Sequence, residues 1–386
     1  MSEYQYYEFQ AIDKPLSEKD REVLRNISSR AQITSTSFIN EYNYGNFKGD
    51  PLKLMEKYFD AFLYVTNWGI HQLMLKIPRK LIDLDLASQY CIGDSWTIYE
   101  KGDYLIFDFT SETEDYVWEE GDGYLLPLIS LRSDLIRGDY RCLYLAWLFC
   151  AQMGEIENDD EEPPVPANLG NLNASLESFA DLMRLDKDLI QVAAENSIAE
   201  QKSVQNDQKL KIQKLETWID GLPNSEKDTI IFRLINGNDP HLGNELLQRF
   251  RKTLSIKDTQ NNEKASRTVI KLLQKAEAYT KEKDRQIAEQ KTKEKIRKEK
   301  EAAIAREKYL NGLAGRENEI WKKIDALILT KKPTNYDEAI RLLIDLKDLA
   351  KKNNTTSLFK SRLIGIRENH SRKSSFISRI DSNSLH

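Results

Sequence analysis

Glu157-Asn-Asp-Asp-Glu-Glu-Pro-Pro-Val-Pro166 divides this 386-residue chain into two halves of different character. Five acids and no base fall within residues 156–166. Like charges repel and prolines cannot donate to a ladder, so 155–167 is expected to be a solvated, acidic, Pro-rich linker. Before it, apolar residues alternate or cluster in short β-branched and aromatic runs. After it, apolar residues recur at helical spacing and no convincing strand is found. The fold class expected is therefore an α+β N-terminal domain followed by an all-α half with a long charged helix.

Working back from the linker, residues 1–154 form an aromatic-rich domain. Tyr4–Ile12 and Ile33–Tyr42 read as strands, as do Phe62–Val65 and Leu73–Ile77 on either side of Asn67-Trp68-Gly69. Trp96–Glu100 and Tyr104–Phe109 flank Lys101-Gly102-Asp103 as a hairpin. Ser17 with Asp20 is a capping-box variant, Asp50-Pro51 an N-cap before a first-turn proline, and Lys80–Tyr90 a further helix. Leu125–Met153 is a very apolar helical stretch that Gly138 and Asp139 should break. About six strands and four helices give a mixed or antiparallel sheet with helices on one side.

Working forward, 168–255 is expected as a small helical bundle. Leu172–Asn196 breaks at Leu185-Asp186; Gln201–Gly221 follows; Ser225 and Asp228 cap a helix ending near Asn236-Gly237; Asp239-Pro240 opens the next. Residues 256–332 read as one long charged helix over Lys264–Leu329, stopped by Pro333. Ile287 and Ile296 are nine apart with no Leu or Ile between them, which favours a solvent-bridging helix over a coiled coil. Residues 333–386 are a helical pair, Tyr336–Ala350 and Ser357–His370, and a frayed basic tail.

Charge follows the same division. Residues 1–155 carry 15 basic and 25 acidic side chains, net −10, whereas 256–386 carry 31 and 19, net +12. An acidic front and a basic back point to a tail that meets an anionic surface, a protein partner or its own front half. Lys291, Lys293, Lys295, Arg297, Lys298, Lys300, Arg306 and Lys308, with Arg362, Arg367, Arg372, Lys373 and Arg379 behind them, are the candidate contacts. Lys293, Arg297, Lys298, Lys300, Arg306, Arg372 and Lys373 are the ones singled out for an anion or nucleic acid. Acids interleave, however: residues 281–308 hold 11 basic and 7 acidic side chains, so a self-paired solvated helix is the plainer reading.

Signals for chemistry are weak. The four histidines, His71, His241, His370 and His386, have no metal-ligand spacing, and His71 reads as a hydrogen-bonded side chain before it reads as a base. Cys91, Cys142 and Cys150 are expected as reduced, buried thiols. No Walker A, Gly-x-Gly-x-x-Gly or Gly-x-Ser-x-Gly is present. Asp83, Asp85 and the Glu112–Asp122 acids read as a solvated rim rather than a cation site, and Asp103 and Asp108 bring no lysine at a nuclease-like spacing. The aromatics Tyr4, Tyr6, Tyr7, Phe9, Tyr42 and Tyr44 read as core rather than as a base-stacking platform, since their surroundings are acidic. No catalytic residue, cofactor or metal is expected. The N-terminus lacks a signal-peptide pattern and no run is long enough to span a membrane, so a cytoplasmic location is expected.

Tyr4-Gln-Tyr-Tyr-Glu-Phe-Gln-Ala-Ile-Asp-Lys-Pro-Leu16, Gly49-Asp-Pro-Leu52, Lys57-Tyr-Phe-Asp-Ala61 and Glu162-Pro-Pro-Val-Pro166 together resemble a family of uncharacterised bacterial proteins. That resemblance brings no activity and no site residue with it. Tyr336-Asp-Glu-Ala-Ile-Arg-Leu-Leu-Ile-Asp-Leu346, with Arg362 to Arg372 behind it, is similar to the C-terminal region of some bacterial SWIM zinc-finger proteins, without their Cys/His motif. This implies a helical adaptor or a nucleic-acid-associated module. The function expected is thus a non-enzymatic interaction or scaffold protein, partnered or self-associated through its helical half. The alternatives are a nucleic-acid binder acting through the basic C-terminal helices, or an enzyme with a site in the N-terminal domain.

Overall fold

The computed structural model describes residues 3–113, 120–197, 206–237, 239, 241–258 and 267–385, apart from the side chains of 206–211 and 254–258. It divides into two compact units, Met1–Glu282 and Lys283–His386. In chain order the first unit contains β1 (Gln5–Gln10), α1 (Glu18–Ile27), β2 (Gln32–Ile33), β3 (Ser37–Tyr42), α2 (Pro51–Lys57), β4 (Ala61–Thr66), β5 (Ile70–Pro78), α3 (Leu84–Ser88), β6 (Trp96–Lys101) and β7 (Tyr104–Glu112). Helices α4 (Leu125–Leu128), α5 (Ser130–Ile136), α6 (Arg141–Met153), α7 (Ala174–Leu182), α8 (Lys187–Ala194), α9 (Asn206–Asp220), α10 (Asn224–Asn236) and α11 (Leu242–Asp258) follow. Helix α12 (Val269–Leu313) carries the chain from the first unit into the second, which adds α13 (Glu317–Leu329), α14 (Pro333–Lys352), α15 (Thr356–Asn369) and α16 (Ser374–Ser382). The expected order, α+β and then all-α, is the order found.

The sheet has seven antiparallel strands in the order β2-β3-β1-β4-β5-β7-β6. Helices cover both of its faces, not one as expected. Tyr7, Phe9, Phe38, Phe62, Met74 and Ile106 pack with Leu24 of α1 and with Leu54 and Met55 of α2. Their neighbours Tyr6, Leu63, Leu73, Leu75, Leu105 and Phe107 pack with α4–α8 and with Val269, Leu272 and Ala276 of α12. The physical reason lies in the strands. Ala61-Phe-Leu-Tyr-Val65 and Leu105-Ile-Phe107 are continuously apolar, the mark of a strand buried on both sides.

Local signals decide several boundaries. Ser17 and Asp20 form the reciprocal capping box at α1, and Asp50 caps α2 ahead of Pro51. The single strand expected over Ile33–Tyr42 is two strands, because the Thr34 hydroxyl accepts from the amides of Thr36 and Ser37 and turns the chain. Lys80–Tyr90 is a 3-10 turn (Arg79–Leu81) followed by the short α3. Helix α10 starts behind Pro223, one residue before Ser225, which therefore does not cap it. The start expected at Gln201, Pro240 of the Asp239-Pro240 start and the first residues of the Lys264–Leu329 helix lie outside the described residues.

The expected solvated linker is packed. Ile156 and Glu162 are buried, Glu161 bridges Thr268 in a one-residue ladder, and the amides of Val269 and Ile270 donate to the carbonyls of Asp160 and Asn158. Glu157–Glu161 between the two anchors are exposed, so the charge run is a solvated bulge on a fixed segment. The long helix also differs. It breaks after Leu313, where Gly315 has φ +82°, and Pro333 opens α14 instead of stopping the preceding helix.

The second unit has its own core, in which Ile320, Trp321, Ile324 and Ile328 of α13 meet Ala339, Leu343 and Leu346 of α14. Phe359, Leu363 and Ile366 of α15 complete it, together with Phe376 and Ile380 of α16 and Leu385. The terminus expected to fray is instead the helix α16, with Phe376, Ile380 and Leu385 fully enclosed. Its sequence is polar, but Phe376 and Ile380, four residues apart, share one side of the helix, and Leu385 returns to the core beyond its end.

Candidate functional site

Every residue of α12 from Lys281 to Ala305 is exposed. The helix is about 67 Å long at 1.5 Å per residue. At about 100° per residue, Ile287 and Ile296 project from opposite sides, so its apolar residues share no seam. Its cations over 291–300 fall on two opposite faces. Residues 291–300 carry six bases and two acids: Lys293, Arg297 and Lys300 lie within about 60° of one another on one side, and Lys291, Lys295 and Lys298 within about 60° on the opposite side.

The candidate anion contacts divide into three kinds. Arg297 and Lys298 pair along the helix with Glu301 (3.7 Å) and Glu294 (2.8 Å). Arg306 is fixed by Asp345 (2.5 Å) and Asp348 (2.8 Å) of α14 and lies 5.7 Å over the Tyr309 ring, while Lys373 donates to the Ile328 carbonyl at 2.9 Å. Lys293, Lys300 and Arg372 are exposed and, among the described residues, enter no ion pair. Of the remaining cations, Arg362 stacks 5.2 Å over Trp321, and Arg367 and Arg379 pair with Asp381 and Asp337. Much of the basic character of the C-terminal helices therefore holds those helices together.

The first unit contains a cleft of about 980 Å³ between the end of β5, the β6–β7 hairpin and α11. Its walls carry Asp13, Arg79, Lys80, Asp103, His241 and Lys252. Asp85 lines it too; among the described residues Asp85 and Asp103 enter no ion pair, whereas the other charges have a partner close by. Lys80 lies 3.0 Å from Glu245 and 3.4 Å from Asp239, and Arg233 grips the same two acids. Bonding to Arg233 holds the carboxyls of Asp239 and Glu245 below the usual carboxylate range. Arg79 pairs with Glu100, Lys252 lies 3.6 Å from Asp83, and Asp13 is held by Arg132 with His241 Nε2 at 3.4 Å. This knot ties α10 and α11 to the sheet. Sequence reading could not find it, because Lys80 and Asp239 are 159 positions apart and each looks like an ordinary surface charge.

Other residues weighed from the sequence hold structure. His71 is buried, with Nδ1 2.9 Å from the Leu182 carbonyl and Nε2 3.0 Å from Arg184, which can only donate. Asp108, inside the sheet, accepts from Gln72 at 2.9 and 3.0 Å; burial raises its pKa to about 6. Burial also pushes the Cys142 and Cys150 thiols well up. Tyr6, Tyr7 and Phe9 are core; Tyr44 is exposed. Among the described residues no group of three or more His, Cys, Asp or Glu is placed to hold a metal ion. No helix among them is long and apolar enough to cross a membrane. Residues 114–119 of the expected acidic rim lie outside the described residues.

No protein-family model, curated protein or solved structure matches the chain.

Proposed function

We propose that this is a non-enzymatic interaction or scaffold protein, in which α12 links two packed units and offers a solvated surface to a protein partner. The observation that carries the reading is the full exposure of 281–305. A helix that buries no side chain over some seven turns contributes nothing to a core, and intrahelical pairs such as Lys298–Glu294 maintain it at a few tenths of a kcal/mol each. The pairing of Asp13, Arg79, Lys80 and Lys252 in the cleft supports the same reading, since a general base or nucleophile works from an uncommitted group, which leaves only the carboxylates of Asp85 and Asp103 there.

The nucleic-acid alternative is favoured by one observation, the six bases against two acids over 291–300. Against it, each side of the helix offers only three of the six, and one on each side, Arg297 and Lys298, is paired with Glu301 or Glu294. Titrating labelled RNA and DNA with the full chain, at low and moderate salt, separates the two. The scaffold reading expects no micromolar binding. Tight, salt-steep binding that is lost in Lys293→Glu/Lys300→Glu would overturn it in favour of nucleic acid.

A further inference from the structure

Helix α10 has no buried residue, although its second half is Ile230-Ile-Phe-Arg-Leu-Ile235. Ile231, Phe232, Leu234 and Ile235 are 52, 70, 68 and 79 % exposed. At about 100° per residue they occupy one arc of roughly 160°. Arg233 projects from the opposite side, where it grips Asp239 and Glu245. One side of α10 is thus locked to the start of α11 and the other is apolar and open.

We propose that this arc is where the chain pairs with a second copy of itself, α10 against α10 about a two-fold axis. The inference rests on the interaction-protein reading and names one partner. Three features favour a copy over another molecule. A two-fold contact needs one self-complementary patch, and a compact apolar arc on one helix is such a patch. The four side chains expose on the order of 500 Å² per copy, beyond the scattered apolar exposure of ordinary surfaces, so pairing covers about 1,000 Å², where specific interfaces begin. Charge does not oppose it, since residues 206–258 carry nine basic and eight acidic side chains. Two such surfaces approach without the repulsion that two copies of the −10 front or the +12 back would meet.

Sedimentation velocity on the full chain tests this, at about 50 μM protein and at both low and high salt. The wild type is expected to sediment as a dimer at both, because apolar burial is not screened by salt. Phe232→Glu and Ile235→Glu each place an unpaired carboxylate in the contact and are expected to weaken it at least about 100-fold, giving monomers. Both positions are exposed, so the circular dichroism and melting of the monomeric variants should match the wild type apart from the lost concentration dependence. A monomeric wild type, or a dimer that persists in both variants, overturns the inference. Neither result touches the scaffold reading, which the nucleic-acid titration tests separately.

Discussion

Removing Arg267 should destabilise the first unit far more than its place beside an acidic run suggests. The Glu162 carboxylate is 3 % exposed and takes a bidentate grip from Arg267, with Nη2 to Oε1 at 2.7 Å and Nε to Oε2 at 2.9 Å. The Tyr144 hydroxyl also donates to Oε1, and Arg267 Nη1 reaches the Val192 carbonyl at 3.2 Å. Arg267→Met keeps most of the apolar stem and leaves the carboxylate buried with two donors of four, Tyr144 and a long bond from Asn196 Nδ2 at 3.5 Å. Breaking a buried pair from one side costs about 3–5 kcal/mol, and the surviving Tyr144 and Asn196 bonds place this case near 3. Glu162→Gln/Arg267→Met removes the stranded charge while keeping an acceptor for Tyr144, so the double variant should lose only about 1–2 kcal/mol. Denaturant unfolding followed by tryptophan fluorescence reads this directly, since the Trp147 ring is 5.7 Å from the Tyr144 ring. A single variant within about 1 kcal/mol of wild type, or a double variant as unstable as the single, would refute the view that 155–166 is a docked segment.

Two further outcomes follow from burial. Asp108 is held at a pKa of about 6 against an ordinary 3.8, so its contribution is complete below about pH 4 and is lost as pH rises through 6, by up to about 3 kcal/mol. Asp108→Asn should match wild type at pH 4 and exceed it in urea stability at pH 7.5; equal or lower stability at pH 7.5 would contradict this. Phe376→Ala empties a fully enclosed site against Tyr336, 5.5 Å between ring centroids, and should cost the second unit about 3–5 kcal/mol in thermal or denaturant unfolding. A loss under 1 kcal/mol would return α16 to the status of a frayed tail.

Features set by neighbours in sequence were legible. Ser17 with Asp20, Asp50-Pro51 and the hairpin around Gly102 needed only a few residues of context, and each formed as read. The exposure of α12 was legible too, because a helix without an apolar seam has nothing to bury. Features set by distant partners were not. Glu157–Glu162 is a run of acids and one Asn in which only the last residue is buried, and its partner Arg267 lies 105 positions away. The second helical layer on the sheet was signalled by unbroken apolar runs in β4 and β7, a pattern that length alone does not separate from half-buried strands. Residues 168–255 read as a small bundle, and only the structure shows that the apolar arc of α10 stays exposed among the described residues.

The central claim is that α12 is solvated between its anchored ends. Hydrogen–deuterium exchange of the full chain, read by peptide along the helix, tests it most directly. The account predicts strong protection at Val269–Ala276 and again from Arg306–Leu310 onward into α13, with protection falling by orders of magnitude across 283–305. Uniform strong protection through 283–305 would mean that this stretch is covered, and would contradict the account.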